Sequence, residues 1–405
     1  MIRYRRAMFA AWMISPEYGR LRSLIAAIFC ATLCGCGFTL LMPVMALNLE
    51  AMTGSGVVVG LNGAVTALST IVATPFVPRL MQRWRGRPLI VTSLAVTALT
   101  IPFFPLFPEV WLWFALRFAM GLAITVVFVA SETWINQISP PEKRATVLGL
   151  YATALASGFG AGGLLLAALG SSGWAPWLAA FLLFSGGSLP ILFLRGPGIE
   201  QPDADSASIS AMIRAAGIAP AAIGAGLLFG ATETMFFALF PVYGERIGLI
   251  DTAIGFMMAA GALGGIILQA PLGRLADSVG RLRVAIMAAI VCVIGPGLVY
   301  LSGAAPLALY AVMFGYVGIA TGLYTLGLAL IGERFDGGSL VGANAAFVMA
   351  YGVGSLFGPA IGGGAMDAID PQGVLIVSSA LALTYLIFLL VRHFTRKQQL
   401  TGGKP

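Results

Sequence analysis

The feature that most constrains this chain is a series of long apolar runs, each near the length that crosses a lipid bilayer. A transmembrane helix needs about 20 mainly apolar residues, so 405 residues leave room for about twelve such helices and short loops. Hydrophobic residues make up 59% of the sequence and charged residues 10%, against roughly half and a quarter in soluble domains. A water-soluble fold could not hide that much apolar surface. We therefore predict an all-α integral membrane protein.

The apolar runs predict twelve transmembrane helices, to within a few residues at each end. They cover residues 22–47, 56–78, 88–107, 110–137, 144–168, 174–194, 215–242, 252–273, 282–302, 305–332, 340–366 and 373–393. A polar segment rich in Gly, Pro, Ser and Asp divides them into two sets of six. We expect an N-terminal six-helix bundle with an interfacial N-terminus over 1–194, a cytoplasmic linker over 195–214, and a C-terminal six-helix bundle with a cytoplasmic tail over 215–405.

The positions of Lys and Arg predict the orientation in the membrane. With the N-terminus inside, these residues lie on the cytoplasmic side, except Arg117 within a span and Arg246 in an outer loop. The net charge of +7 then reflects topology and not nucleic-acid binding. An aromatic belt is expected at the outer helix ends, formed by Trp111, Trp113, Trp174 and Trp177. We expect a multi-pass protein of the inner (plasma) membrane, in contact with lipid, with both termini cytoplasmic.

The two halves of the chain repeat each other. Residues 57–80 align without gaps on residues 252–275. Along this alignment Gly60, Ala64, Ala67, Leu68, Ile71, Arg79 and Leu80 recur as Gly255, Ala259, Ala262, Leu263, Ile266, Arg274 and Leu275. Such an internal repeat predicts two similar structural units of six helices each.

A polar motif, Gly273-Arg274-Leu275-Ala276-Asp277-Ser278-Val279-Gly280-Arg281-Leu282-Arg283, separates two apolar runs and predicts a tight polar hinge. It resembles the loop signature of the major facilitator superfamily, Gly-x-Leu-Ala-Asp-x-x-Gly-Arg-x-Arg. The resemblance implies that fold, of two six-helix repeats with a substrate site between them near the bilayer midplane. It also implies a gating loop formed by Gly273, Asp277, Gly280 and Arg281. The alternative is a basic loop that only sets orientation.

Arg117 lies inside the fourth predicted helix, where a charged side chain costs about 2.5–3.5 kcal/mol and is usually functional. The stretch Arg117-Phe118-Ala119-Met120-Gly121 resembles the family's Arg-x-x-x-Gly signature, which is associated with proton coupling. Alternatively, Arg117 ties helices together through backbone carbonyls. Glu132 falls on the same helical face, but it can equally be a helix-end acid that interacts with Lys143 or Arg144.

Glu233 is the second intramembrane charge, well inside the seventh predicted helix. Phe229, Phe237 and Phe240 share its helical face, which gives an aromatic wall with a single acid. An apolar environment favours the neutral form of a carboxyl group, which would make Glu233 a proton carrier. The alternative is packing glue bonded to a neighbouring threonine. Tyr324, on the tenth predicted helix, is a further candidate for the cavity wall.

Glycines in the fifth predicted helix resemble the family's antiporter motif, with Gly149, Gly158 and Gly162 at matching spacing. Gly163 replaces the proline of that motif, which weakens the implied export direction. Helix packing alone would also explain these glycines.

The resemblance implies a secondary active transporter that works by alternating access, and we expect proton-coupled export of an amphipathic or aromatic compound. An uptake permease for a small metabolite is the first alternative, and a non-transporting membrane sensor is the second. The sequence contains no phosphate-binding loop, metal-ligand cluster or nucleophile triad, so we expect neither an enzyme nor a cofactor or metal. We expect a monomer whose partners are the small-molecule substrate and protons.

Overall fold

The computed structural model describes residues 16–84, 86–140, 144–193, 209–335 and 337–401 of the chain. Within these ranges every long regular element is a helix and there is no β-strand, which confirms the predicted fold class. Eleven helices are long and apolar enough to cross a membrane, and a bent pair of shorter helices supplies a twelfth. Helices suit this environment because each satisfies its own backbone hydrogen bonds in lipid.

The helices follow the predicted order, with additional breaks inside several spans. They are α1 Pro16–Thr53, α2 Gly56–Ala73, α3 Val77–Arg83, α4 Gly86–Thr100, α5 Phe103–Leu106, α6 Val110–Ile138, α7 Arg144–Leu169, α8 Ala175–Phe193, α9 Ile209–Ile218, α10 Pro220–Ala238, α11 Phe240–Arg246, α12 Asp251–Ile267, α13 Gln269–Val279, α14 Arg281–Ser302, α15 Pro306–Gly332, α16 Gly337–Ala368 and α17 Gly373–Thr401.

The seventh predicted span is broken and not continuous. α10 ends at Ala238, and α11 starts at Phe240 with Pro241 in its first turn. Proline has no backbone N–H, so the helical hydrogen bond that residue 241 would donate is missing. Upstream, α9 overlaps the end of the segment predicted as a linker, and residues 194–208 lie outside the described residues.

The eighth span bends by 40° between α12 and α13. The facilitator-type motif lies mostly within α13 as regular helix, so the prediction of a polar hinge over the whole motif was wrong. The chain reverses only at Gly280, whose φ of 104° favours glycine. Arg274, Leu275 and Ala276 are strong helix formers, which explains why the helix continues through the motif.

The described residues cluster into two compact units. The first contains the chain up to Leu41, Ser69–Gly162, and the stretch from Ser172 to the gap at residue 194. The second contains Met42–Leu68, Gly163–Ser171 and all described residues after that gap. The second unit thus includes the C-terminal ends of α1 and α7 and the N-terminal part of α2, packed with the helices of the second repeat.

Inside the second unit, two glycines that are equivalent in the repeat make equivalent close contacts. A Cβ at Gly60 of α2 would overlap the carbonyl oxygen of Pro359 in α16. A Cβ at Gly255 of α12 would lie 2.6 Å from the carbonyl oxygen of Gly163 in α7. Small residues allow helix backbones to approach this closely. Gly163, where the antiporter motif has a proline, therefore occupies a helix contact.

The aromatic belt is only partly present. Trp111 and Trp174 are 84% and 54% exposed, as a lipid-facing belt requires, but Trp113 and Trp177 are each 2% exposed. The buried pair packs edge to face with ring centroids 5.7 Å apart. The indole N–H of Trp113 donates to the carbonyl oxygen of Phe104 at 3.1 Å, and this bond offsets the cost of burying the N–H group. Burial of Trp113 and Trp177 depends on this packing, which the sequence pattern does not reveal.

Candidate functional site

Glu233 stands out on α10 because it is accessible where its neighbours are not. Every other residue from Leu228 to Gly244 is buried, whereas Glu233 is partly exposed. α10 forms here from a run of helix-compatible apolar residues and begins with Pro220, whose fixed φ suits the first helical turn. Glu233 is therefore the one residue from Leu228 to Gly244 that is not buried.

The Glu233 carboxylate has one close partner, which the sequence analysis missed. The Tyr351 hydroxyl of α16 donates to Oε2 of Glu233 at 2.6 Å, a short hydrogen bond typical of a charged acceptor. Among the described residues, no hydrogen bond to Oε1 of Glu233 is formed. One oxygen is thus held by Tyr351, and the other remains available to a ligand or a proton.

Four aromatic rings from three helices cluster beside this carboxylate, and we call them the ring cluster: Phe229, Tyr324, Phe347 and Tyr351. Phe229 lies 5.7 Å from Tyr351 and 5.5 Å from Tyr324, measured between ring centroids. Tyr324 lies 5.2 Å from Phe347 and 6.3 Å from Tyr351. The predicted residues Glu233, Phe229 and Tyr324 are therefore brought together.

Phe237, also predicted for the cavity wall, is 9% exposed, and its ring centroid lies 5.0 Å from that of Phe236. It occupies the next turn of α10 and packs with an aromatic neighbour on its own helix. Phe240 packs against Tyr316 with ring centroids 6.3 Å apart. Of the three rings predicted on α10 and α11, Phe229 belongs to the ring cluster, whereas Phe237 and Phe240 pack against other rings. The remaining rings of the cluster come from α15 and α16.

Glycines set the close contact between α10 and α16. A Cβ at Gly230 would overlap the carbonyl oxygen of Tyr351, and a Cβ at Gly354 would overlap that of Leu227. The Ser355 hydroxyl adds a hydrogen bond of 3.1 Å to the carbonyl oxygen of Gly230. This close packing places the Tyr351 hydroxyl against Glu233. A sequence signal existed, since Tyr351 lies one turn before Ser355 on the glycine-rich face of α16.

The bend of the eighth span carries a polar contact to the same helix as Tyr324. The Thr325 hydroxyl of α15 donates to Oε1 of Gln269 at 2.8 Å. Gln269 is the first residue of α13, so this bond holds the helix just after the break. Thr325 is exposed and directly follows Tyr324 on α15, so a polar side chain adjoins the ring cluster.

Arg117 and Glu132 lie in the first unit, both on α6. Arg117 is 2% exposed, so its charge is fully enclosed by the protein. Glu132 is exposed, and the Tyr151 hydroxyl of α7 lies 3.4 Å from its Oε1. The rise along the fifteen residues between them is about 22 Å, so they do not form one site. The side chains of Lys143 and Arg144 lie outside the described residues.

The predicted gating residues are spread over α13 and the start of α14. Asp277 is exposed and, among the described residues, makes no hydrogen bond. Arg281, in contrast, donates from Nη1 to the carbonyl oxygen of Ala329 at 2.6 Å and lies 3.4 Å from Glu333. In this conformation the arginine ties α14 to the end of α15, while the acid is free to engage elsewhere.

Arg246, the exception to the charge distribution, is the centre of an acidic cluster in the second unit. It lies 2.7 Å from Glu50, 3.3 Å from Asp367 and 2.7 Å from Asp370. Burial alone would lower the pKa of Arg246, but the hydrogen bonds to Asp370 and Glu50 raise it overall. The arginine thus remains charged and links α1, α11 and α16. Asp251, outside this cluster, accepts hydrogen bonds from the backbone N–H of Ser171 at 2.5 Å and from the Ser171 hydroxyl at 2.8 Å.

The sequence resembles a known protein family over most of its length. The sequence profile described as Major Facilitator Superfamily matches residues 27–249 and 222–405. The uncharacterized MFS-type transporter YfkF of Bacillus subtilis is 26% identical over 337 residues, which cover 82% of this chain and 85% of that protein. The uncharacterized MFS-type transporter YcaD of Escherichia coli O139:H28 is 30% identical over 284 residues, 69% of this chain and 72% of that protein.

Two solved structures share the architecture. A bacterial homologue of the human lysosomal transporter Spinster superposes with a TM-score of 0.68 at 15% identity, over 93% of this chain and 96% of that chain. The nucleoside transporter NupG superposes with a TM-score of 0.72 at 14% identity, over 92% of this chain and 98% of that chain. At this identity the likeness concerns the fold. The family match over nearly the whole chain and these relatives establish that the protein belongs to the major facilitator superfamily of membrane transporters.

Proposed function

We propose that the protein exports an amphipathic or aromatic small molecule in exchange for protons, by alternating access. The observation that carries this proposal is the partly exposed Glu233, whose carboxyl group is held by Tyr351 beside the ring cluster. Family membership supports transport itself. The ring cluster supports a substrate with an apolar body, and the acid Glu233 supports proton coupling.

The chemistry of Glu233 explains how protons would drive the exchange. A carboxylate in an apolar environment is costly and can become neutral by taking up a proton. The Tyr351 hydroxyl favours the charged form, because it donates a hydrogen bond to it. If the two conformations of the transport cycle differ in how far water reaches Glu233, proton occupancy differs between them. That difference couples a proton gradient to the conformational exchange.

The first unit contributes Arg117 and Glu132 to this proposal. A buried guanidinium such as that of Arg117 orients substrate or adjusts the local field, and Glu132 is the second acid able to carry a proton. Uptake of a metabolite is the second candidate function. It is favoured by Gly163, which stands where the antiporter motif of exporters has a proline.

Inverted membrane vesicles test coupling and direction together. Vesicles that contain the protein are made acidic inside, and accumulation of ethidium or of the neutral dye N-phenyl-1-naphthylamine is followed by fluorescence. We expect gradient-driven accumulation that nigericin abolishes and that Glu233→Gln removes. Glu109→Gln, at an exposed helix end, is the matched control and retains transport. Accumulation that survives either nigericin or Glu233→Gln contradicts the proton-coupling proposal, and gradient-driven extrusion supports uptake as the cellular direction.

We also propose that both termini are cytoplasmic, because Lys and Arg lie mainly on that side. The test is labelling of Ser172→Cys by an impermeant maleimide in intact cells, in a variant without the native cysteines. The residue should react from outside. Reaction only after the membrane is broken would contradict the orientation.

A further inference from the structure

We infer that the substrate which Glu233 recognises is an organic cation with an apolar, ring-bearing body, bound between the free carboxylate oxygen and the ring cluster. This inference rests on the proposed function and adds the charge of the ligand. Three independent observations carry it: the open oxygen of Glu233, the arrangement of rings beside it, and the charges on the surrounding helices.

The first observation is that Glu233 is partly exposed although it lies well inside α10. The residues around it on α10 are buried, and Tyr351 occupies only Oε2. A carboxylate that served only as packing glue would have both oxygens satisfied by the protein, because unpaired buried charge is costly. Here Oε1 has no hydrogen-bond partner among the described residues, and the residue is partly exposed.

The second observation is the geometry of the ring cluster. Phe229, Tyr324 and Tyr351 lie pairwise 5.5–6.3 Å apart between centroids, and they come from α10, α15 and α16. Faces of aromatic rings attract cations, and cages of several rings recognise quaternary ammonium groups. The same faces repel anions, because the ring quadrupole is negative there. An anionic or purely aliphatic substrate would leave these features unused.

The third observation concerns the charges on the helices that pack against α10 within the second unit, which are α2, α9, α11, α12, α15, α16 and α17. α2 and α15 carry no charged residue, α12 carries only Asp251 at its first position, and α16 carries only Asp367 at its far end. The charged residues of the remaining three helices, within the parts whose side chains the structure describes, are Arg214, Glu245, Arg246 and Arg392.

These charges lie far from Glu233 along the helix axes. The level of Glu233 is marked by Tyr351 on α16 and, through its contact with Met235, by Ser378 on α17. Asp367 and Arg392 are each more than ten residues beyond those levels, or roughly 20 Å of helix. Among the described residues of the second unit, no Lys or Arg neutralises Glu233. Within the described part of the second unit, the counter-charge for Glu233 is therefore left to a ligand or a proton.

The test is the binding of two probes that share shape and apolar surface but differ in sign, tetraphenylphosphonium and tetraphenylborate. Each is titrated separately into the full-length protein in detergent by isothermal calorimetry. We expect the phosphonium ion to bind the unmodified protein at least tenfold more tightly than the borate ion. Glu233→Gln should weaken phosphonium binding at least tenfold, whereas Glu233→Asp should retain it within a few-fold. Phe229→Leu should weaken it several-fold, and Glu109→Gln should leave it unchanged.

Two results overturn the inference: phosphonium binding in Glu233→Gln within threefold of the unmodified protein, or equal binding of the two probes. If phosphonium binding is unaffected by Glu233→Gln while gradient-driven transport is lost, the carboxyl group takes only a proton. In that case the inference fails and the proposed function stands. If binding follows the charge of residue 233 but no gradient-driven transport is found, the inference stands and the proposed function fails. Circular dichroism of each variant checks that the helices remain folded.

Discussion

Asp367 caps the N-terminus of a helix that lies more than 300 residues earlier in the chain. Its carboxylate accepts the backbone N–H of Gly56 at 2.5 Å and that of Val57 at 3.0 Å. The Ser55 hydroxyl donates to the same group at 2.8 Å. Helix N-termini carry unsatisfied N–H groups and a partial positive charge, so an acid is favourable there. Since Arg246 also contacts Asp367, one side chain joins α2, α11 and α16 in the second unit.

We predict that Asp367→Asn loosens the contact between α2 and α16. Loss of the charge at the helix N-terminus and of the ion pair costs about 1–2 kcal/mol, up to roughly a thirtyfold change in the equilibrium. The measurement is the rate at which maleimide labels Val59→Cys, a position that is 1% exposed on α2. We expect several-fold faster labelling. Asp370→Asn is the control, because Asp370 is 62% exposed and contacts Arg246 but not α2. Equal rates in both variants would show that the helix cap does not hold α2.

The pH dependence of stability should include a contribution from Glu245. Burial raises the pKa of Glu245, and the charges of Glu50 and Asp251 raise it further, against the lowering effect of Arg246. The folded state therefore binds this proton more readily than the unfolded state, whose value is about 4.3. The stabilising contribution of the protonated Glu245 is complete below the unfolded-state pKa of about 4.3. It is lost as the pH rises through the higher pKa of the folded state.

Glu245→Gln has no titratable group at this position, so the variant does not lose this part of its stability as the pH rises. We expect its thermal midpoint in detergent to exceed that of the unmodified protein at pH 7, and the difference to shrink as the pH falls to about 4. Glu109→Gln serves as the surface control. A midpoint lowered equally at both pH values would contradict this prediction, because the effect would then not depend on the charge of residue 245.

Glycine packing between α10 and α16 should be sensitive to a single methyl group. A Cβ at Gly354 would overlap the carbonyl oxygen of Leu227, so Gly354→Ala forces the helices apart and costs about 1–3 kcal/mol. Gly149→Ala is the matched control, because a Cβ there meets nothing within 4 Å. Alanine is favoured over glycine in helices by about 1 kcal/mol, so the control should be neutral or stabilising. Thermal unfolding measures both variants, and similar midpoints would contradict the close contact.

The gating prediction for Asp277 can be separated from a structural role. Asp277 makes no hydrogen bond within the described residues, so Asp277→Asn should leave the thermal midpoint unchanged. If Asp277 acts in another conformation of the transport cycle, the variant should nevertheless slow transport several-fold at similar substrate affinity. Arg281→Gln provides the contrast, because it loses the bond to Ala329 and should lower the midpoint. Unchanged transport in Asp277→Asn would mean that the motif only sets orientation.

The apolar runs predicted the membrane class, the helix order and most helix ends correctly, because each span must satisfy its backbone hydrogen bonds within itself. That requirement acts locally and is visible in the sequence. Glu233 could be recognised from the sequence for a similar reason, because an acid inside an apolar run is unusual whatever the tertiary structure. The break at Pro241 was also readable in principle, from the missing N–H of proline.

Contacts between distant segments were decided by the tertiary structure. Tyr351 meets Glu233 across 118 residues, and Asp367 meets Gly56 across 311. The glycine-rich face of α16 indicates that Tyr351 faces a neighbouring helix, but periodicity does not identify the partner in either pairing, because that partner depends on which helix faces pack and at what height. The same holds for Trp113 and Trp177, which a helix-end rule placed in the belt and packing placed in the interior. The sequence by itself determined the class, the spans and the anomalous acid, since these follow from each segment's own hydrogen bonding and solvation. The partners of that acid required the packed helices, since only close approach at glycines such as Gly230 and Gly354 fixes which side chains meet.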